Sequence, residues 1–152
     1  MKDIFADLLK ELSEIFDTDL QVDVHHACTL LFDKKLPVQI QLDKTETMIL
    51  VGSFLCPLPP GKFREMVLFS ALKENYKIPP IATFAYTDKN NQLTLFRYLP
   101  IEGLSSKKLA EFLAAFYELA ILWKTEIERG NANVVALAIP SNKPSIFEIP
   151  KP

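Results

Sequence analysis

The chain has 152 residues, a formal net charge of −2 and two cysteines, which fits one ordinary domain without a disulfide framework. It has no global positive field to attract nucleic acid. Hydrophobic residues make up 49% of the sequence, yet no run approaches the roughly 18 apolar residues of a membrane span. The N-terminus also lacks a signal-peptide pattern. We therefore expect a cytoplasmic protein with no nucleic acid partner and no membrane insertion.

The sequence pattern in the first third of the chain predicts one helix followed by three strands. Residues 3–17 carry apolar side chains at helical spacing, which indicates an amphipathic helix. Residues 20–33 alternate in polarity and predict a half-buried strand. Residues 38–42 and 48–55 predict two more strands, and the short polar turns between them favour an antiparallel meander.

The rest of the domain predicts a helix, a hairpin and a last helix. Residues 62–77 have helical spacing, and residues 81–87 and 92–99 flank a turn typical of hairpins. A long helix runs from a serine cap to about residue 129, with Gly130 suited to its C-terminal end. The order α-β-β-β-α-β-β-α predicts an α+β fold with a mainly antiparallel sheet.

The composition changes after Gly130, because residues 131–152 contain four prolines. We therefore predict a domain over residues 1–130 and a Pro-rich C-terminal tail over residues 131–152. The sequence leaves open whether this tail is mobile or whether residues 134–139 dock as an edge strand.

The helix at residues 62–77 is apolar on two opposite sides. One apolar side would serve the core of this chain, and a second in so small a domain favours contact with another subunit. The sequence does not decide which side meets that subunit. The side with small residues allows the closer approach, and it gives the predicted dimer interface as Phe63, Met66, Val67, Ser70 and Ala71.

The one cluster of reactive side chains lies in the predicted strand 20–33. His26 and Cys28 would share a face there, and an imidazolium beside a thiol can activate a nucleophile. The same face carries Val22 and Val24, however, so a core position is favoured. His25 and His26 would point to opposite faces and cannot share a metal. We predict no catalytic, cofactor or metal site, and an enzyme using Cys28 and His26 remains the weaker alternative.

Several sequence segments, in this order, resemble those of a known family. They are "HHACTLLFD", "MILVGSFLCPLP", "KFREMVLFSALKENY" and "LSSKKLAEFLAAFYELAILWKTEIERG". Over about residues 1–130 the chain resembles the class I chaperones of bacterial type III secretion, the Tir-chaperone family. It looks especially like the chlamydial members that serve the gatekeeper of the secretion channel. The tail after residue 130 departs from the family pattern.

The resemblance implies a small cytoplasmic bacterial dimer that is not an enzyme. Such a chaperone keeps the N-terminal region of a secreted effector or gatekeeper soluble, partly extended and export-competent. Its second subunit would be another copy or a related chaperone, and the helix at 62–77 would supply the contact. The resemblance places client binding on the first helix and neighbouring strands, at Phe5, Leu8, Leu9, Leu12, Phe16, Val38, Ile40 and Leu42. The alternative is an adaptor or regulatory module of the same fold that binds a folded partner.

Overall fold

The computed structural model describes residues 3–32, 35–77 and 80–133, apart from the side chain of Phe32. The elements in chain order are α1 (Ile4–Phe16), β1 (Ala27–Phe32), β2 (Leu36–Leu42), β3 (Met48–Pro57), α2 (Lys62–Asn75), β4 (Thr83–Thr87), β5 (Gln92–Pro100) and α3 (Ser106–Glu128). The predicted α+β order is confirmed. The two states considered for the tail beyond residue 133 lie outside the described residues.

The five strands form one antiparallel sheet in the order β1-β2-β3-β5-β4. Side chains alternate between its faces, and the inner face carries fully buried residues such as Val38, Ile40 and Val51. The helix α3 packs against both β3 and α1. The core therefore lies between the inner face of the sheet and these two helices.

Local capping explains where α1 and α3 begin. The Asp3 carboxylate accepts the Ala6 backbone N–H at 3.0 Å, and the Ser105 hydroxyl accepts that of Lys108 at 3.2 Å. Along α3, Trp123 is fully buried and its ring lies 4.3 Å from that of Phe84 in β4. This contact ties α3 to the far edge of the sheet.

The predicted strand at residues 20–33 is wrong over its first half, because β1 begins only at Ala27. The Asp23 carboxylate accepts the backbone N–H groups of His25 at 2.8 Å and Ala27 at 3.1 Å, which closes a tight turn. His26 completes the turn at a φ of +57°. Val24 is consequently 88% exposed, although the alternation placed it inside. The alternation in polarity gave no sign that the Asp23 side chain would hold the backbone in a turn in place of a strand.

The chain continues to contact the domain beyond the predicted boundary at residue 130. Gly130 has a φ of +86° and turns the chain after α3. Ala132 is then buried, and its carbonyl accepts a hydrogen bond from the Ser70 hydroxyl of α2 at 2.6 Å. The described packing of the domain therefore extends at least to Ala132.

Candidate functional site

The outer edge of β4 is closed by α2. The Asn75 side-chain amide donates to the Phe84 carbonyl at 2.9 Å and accepts from the Phe84 N–H at 2.7 Å. It thus presents the donor and acceptor that a neighbouring strand would present. At the other end of α2, the Arg64 guanidinium donates to the Tyr86 hydroxyl at 2.9 Å. A strand from another protein cannot pair at Phe84 without displacing Asn75.

The outer edge of β1 presents open backbone groups. The His26 carbonyl accepts a hydrogen bond from β2 at 3.0 Å, and the ladder alternates, so even-numbered residues of β1 bond to β2. The backbone N–H and C=O groups of the odd-numbered residues then point away from β2. Ala27 is occupied by Asp23, because its N–H donates to the Asp23 carboxylate and its C=O accepts from the Asp23 N–H. Within the described part of the chain, Thr29 and Leu31 are left with outward N–H and C=O groups that no other strand pairs.

Exposed apolar side chains lie on this strand and in the segment just before it. Leu31 is half exposed, and Val22 and Val24 project from the turn that precedes β1. The start of α1 lies near the turn that precedes β1, because Ile4 and His26 line the same shallow pocket of about 260 Å³. An open strand edge with apolar flanks is the surface that an extended apolar peptide can use.

The turn that precedes β1 depends on the charge of Asp23. Hydrogen bonds from the backbone of Ala27, and then of His25, lower the pKa of the Asp23 carboxyl below its ordinary value. The ionised form is the one that accepts these bonds. The start of the open edge is therefore fixed by an ionised aspartate at neutral pH.

The structure brings the predicted client-binding residues into one cluster, but within the core. Seven of the eight are buried and Phe16 is half-buried against them. Burial against the chain's own helices accounts for their apolar character without a client. Their role in client binding remains a prediction. The buried members are Phe5, Leu8, Leu9, Leu12, Val38, Ile40 and Leu42.

The predicted dimer interface is divided between two environments. Val67, Ser70 and Ala71 are buried against the chain itself, and Phe63 is half-buried. Met66 is half exposed. Three of the five predicted residues thus already support the position of α2 on its own domain, and the assignment of the set to a subunit contact stays a prediction.

The opposite side of α2 is apolar and faces outward. Phe69 is 60% exposed and Leu72 is 67% exposed, next to the half-exposed Met66. The Lys73 ammonium lies 4.5 Å from the centre of the Phe69 ring. Exposed large apolar side chains on adjoining turns of one helix are typical of an interaction surface.

The reactive pair of the weaker alternative does not form: the core position favoured for Cys28 is observed, but the expectation that His26 shares its face is wrong. His26 lies exposed in the turn, whereas Cys28 is buried on the inner face of β1. Burial, with a smaller contribution from the charge of Asp23, raises the pKa of the Cys28 thiol to about 11. Burial likewise raises the pKa of Cys56 to about 11. A thiol in this state is not an activated nucleophile.

Among residues 3–32, 35–77 and 80–133, no group of three or more His, Cys, Asp and Glu side chains is arranged to hold a metal ion. Within those ranges, no helix is both long enough and apolar enough to cross a membrane.

Asp23 and Asn75 shape the two sheet edges, and the sequence did not reveal either role. An aspartate two residues before a pair of histidines is a weak signal for a side-chain turn. Asn75, near the end of a helix, gave no signal for a bond to a strand that follows it in the chain. Its partner is fixed by tertiary packing.

The sequence of the domain matches a known family model. The model of the Tir chaperone protein (CesT) family matches residues 7–124. The chain belongs to this family. No curated protein is similar enough to the chain to count as a relative.

Solved structures share the fold of this CesT-family chain. A chain of the HopA1–SchA chaperone–effector complex has a TM-score of 0.66 at 20% identity, over 80% of this chain and 94% of that one. The Yersinia pestis type III secretion chaperone SycH, in complex with a stable fragment of YscM2, has a TM-score of 0.64 at 18% identity, over 77% and 97%.

A third solved structure belongs to a protein with a different stated role, and it has the same fold. YbjN from E. coli, a putative transcription regulator, has a TM-score of 0.53 at 16% identity, over 82% of this chain and 93% of that one. At such identities the three structures show the fold alone.

Proposed function

We propose that this chain is a cytoplasmic, non-enzymatic type III secretion chaperone that holds the N-terminal region of a secreted effector or gatekeeper. Membership of the CesT family over residues 7–124 is the observation that carries this proposal. SchA in a chaperone–effector complex and SycH with a fragment of YscM2 support it. A gatekeeper is a candidate client because the quoted sequence segments resemble those of the chlamydial members of the family.

The client is held in a partly extended form at the open edge of β1. A client strand adds to the sheet through the outward backbone groups of Thr29 and Leu31. The side chains of Leu31, Val22 and Val24 give it apolar contacts. Ordering a flexible segment costs free energy, so the client also needs contacts further along, and the predicted cluster on α1 and β2 is where we place them.

The client contact on α1 and β2 involves the margin of the buried cluster. Ile4 and Ile15 are more than half exposed on the helix that carries Phe5 and Leu12. A client lying along this helix would cover the isoleucines and the flank of Phe16. The buried residues of the cluster then act as the support of that surface.

A second chaperone subunit packs against the outward side of α2. Met66, Phe69 and Leu72 form the contact, while Val67 and Ala71 hold the helix on its own domain from the opposite side. The partner is a second copy of this chain or a related chaperone with a matching helix. Covering these side chains removes the largest exposed apolar group of α2 from water.

The two buried thiols support a function without catalysis. Both have a pKa of about 11 because burial disfavours the thiolate. The competing view, an adaptor that binds a folded partner, draws on the likeness of the fold to YbjN. The two differ in the form of the ligand, since a chaperone binds an unfolded segment by itself.

The test begins with recovery of the client from the native bacterium by co-purification. A fragment containing the client's N-terminal region is then titrated into the chain and two variants, Leu31→Ala and Leu31→Pro. Both variants lose the side chain, but only proline lacks the outward N–H, and proline is tolerated at a sheet edge. We expect L31P to bind about fivefold more weakly than L31A, as the loss of one hydrogen bond predicts. Equal binding by the two variants, or recovery of folded partners only, would contradict the proposal.

A further inference from the structure

The exposed residues of α2 all lie on one side of the helix, which is centred on Phe69. They are Lys62, Glu65, Met66, Phe69, Leu72 and Lys73. Successive residues of an α-helix are rotated by about 100°, which puts the others within about 60° of Phe69. The buried residues Val67, Ser70 and Ala71 lie at least about 100° away from it. The described part of the domain therefore leaves this outward side of α2 open.

The chemistry of the outward side is complementary about Phe69. Met66 and Leu72 lie three residues before and after Phe69, and both are large and apolar. Glu65 and Lys73 lie four residues before and after it, and they carry opposite charges. A two-fold axis through Phe69 would run two copies of α2 antiparallel. Every contact of such an interface occurs twice, so that Glu65 meets the partner's Lys73 on both sides of the apolar centre.

The charges on this side have weak partners or none within the described chain. The Glu65 carboxylate lies 3.6 Å from the Lys62 ammonium, but both side chains are mostly exposed. The Lys73 ammonium lies 4.5 Å from the centre of the Phe69 ring, and no carboxylate of the described residues pairs with it. Glu65 and Lys73 of one helix are about 12 Å apart along its axis, which is too far for them to pair with each other.

The relative direction of two such helices follows from these charges. In a parallel pair, Glu65 would lie near the partner's Glu65 and Lys73 near the partner's Lys73, and like charges repel. In an antiparallel pair each charge meets its opposite. Packed helices lie about 8–10 Å apart, so these long side chains can span the flank of the contact while Phe69 fills its centre.

We propose that the second subunit is another copy of this chain, with α2 packed antiparallel across Phe69 and Glu65 paired to the partner's Lys73. This deepens the proposed subunit contact on α2 and rests on it. Met66 packs against the partner's Leu72 on each side of the axis. A related chaperone would fit the same surface only if its helix carried the same order of apolar side chains and charges.

Charge reversal tests the register of the two helices. The dimer dissociation constant is measured by sedimentation for the unmodified chain, for Glu65→Lys and for Lys73→Glu. Each reversal creates two like-charge contacts per homodimer, and we expect it to raise the constant about tenfold at low salt. A mixture of the two variants should form a heterodimer about as tight as the unmodified dimer, because both contacts are again between opposite charges. The double variant E65K/K73E should likewise recover the unmodified constant.

Matched controls reverse exposed charges on α3. Glu111→Lys and Lys107→Glu change the net charge equally, and we expect neither them nor their mixture to alter the constant by more than about twofold. A monomeric unmodified chain would overturn the proposal. So would reversals on α2 that weaken the dimer no more than the controls, or a double variant no tighter than the single ones. No client is needed here, so a failure of this pairing is distinguishable from a failure of the chaperone function, which co-purification measures.

Discussion

Replacement of Asn75 by alanine removes the side chain that closes the β4 edge. The variant loses the two hydrogen bonds to Phe84, of 2.7 and 2.9 Å, and leaves a backbone N–H and a C=O without partners. Each buried group that loses its partner costs about 1–3 kcal/mol, and both sites are partly reached by water. We therefore expect N75A to lower the free energy of unfolding by about 2–3 kcal/mol.

Urea unfolding at one fixed protein concentration measures this change. Trp123 is the single tryptophan, and its contact with Phe84 makes its fluorescence sensitive to the packing of β4. The matched control is Asn75→Asp, which keeps an acceptor for the Phe84 N–H and loses the donor to the carbonyl. N75D should fall between the parent and N75A. A loss below about 0.5 kcal/mol for N75A, with an unchanged slope, would refute the assignment of Asn75 as the closure of this edge.

Three further predictions follow from the other features of the structure. Phe69→Glu or Leu72→Glu should turn a dimer into a monomer in native mass measurements while Glu65→Gln does not, and persistent dimers would exclude the outward side of α2. Cys28 should alkylate at pH 8 only as fast as the chain unfolds, because its pKa is about 11; labelling at the rate of a free cysteine would contradict its burial. The lowered pKa of Asp23 means that its stabilising effect is complete above about pH 4 and is lost as the pH falls through the folded-state value. Asp23→Ala should remove that part of the acid dependence of stability, and an unchanged acid profile would show that the turn does not depend on this carboxylate.

The order of elements was predictable because each element carries its own periodicity and its own ends. Apolar residues recur about every 3.6 residues along α1 and every second residue along β2. Polar turns or prolines separate the segments. The start of β1 was not predictable from alternation, since Asp23 offers the backbone a local turn in place of the ladder. Period two persists through a turn when its side chains happen to alternate in polarity.

The candidate site was harder to predict than the fold. An apolar stripe on α1 has the same pattern whether it meets the core or a client, and the structure shows Leu9 and Leu12 inside the core. The two apolar sides of α2 were visible in the sequence. Which of them faces outward depends on where β4 and α3 lie, and contacts distant in the chain, such as Ser70 to Ala132, decide that.

The central claim is that a client strand pairs with the open edge of β1. Amide hydrogen exchange at Thr29 and Leu31, measured with and without the N-terminal segment of the co-purified client, tests it most directly. The account predicts that both amides become protected when the segment binds, while Cys28 and Leu30, which already bond to β2, change little. Tight binding of the segment with unchanged exchange at Thr29 and Leu31 would contradict it.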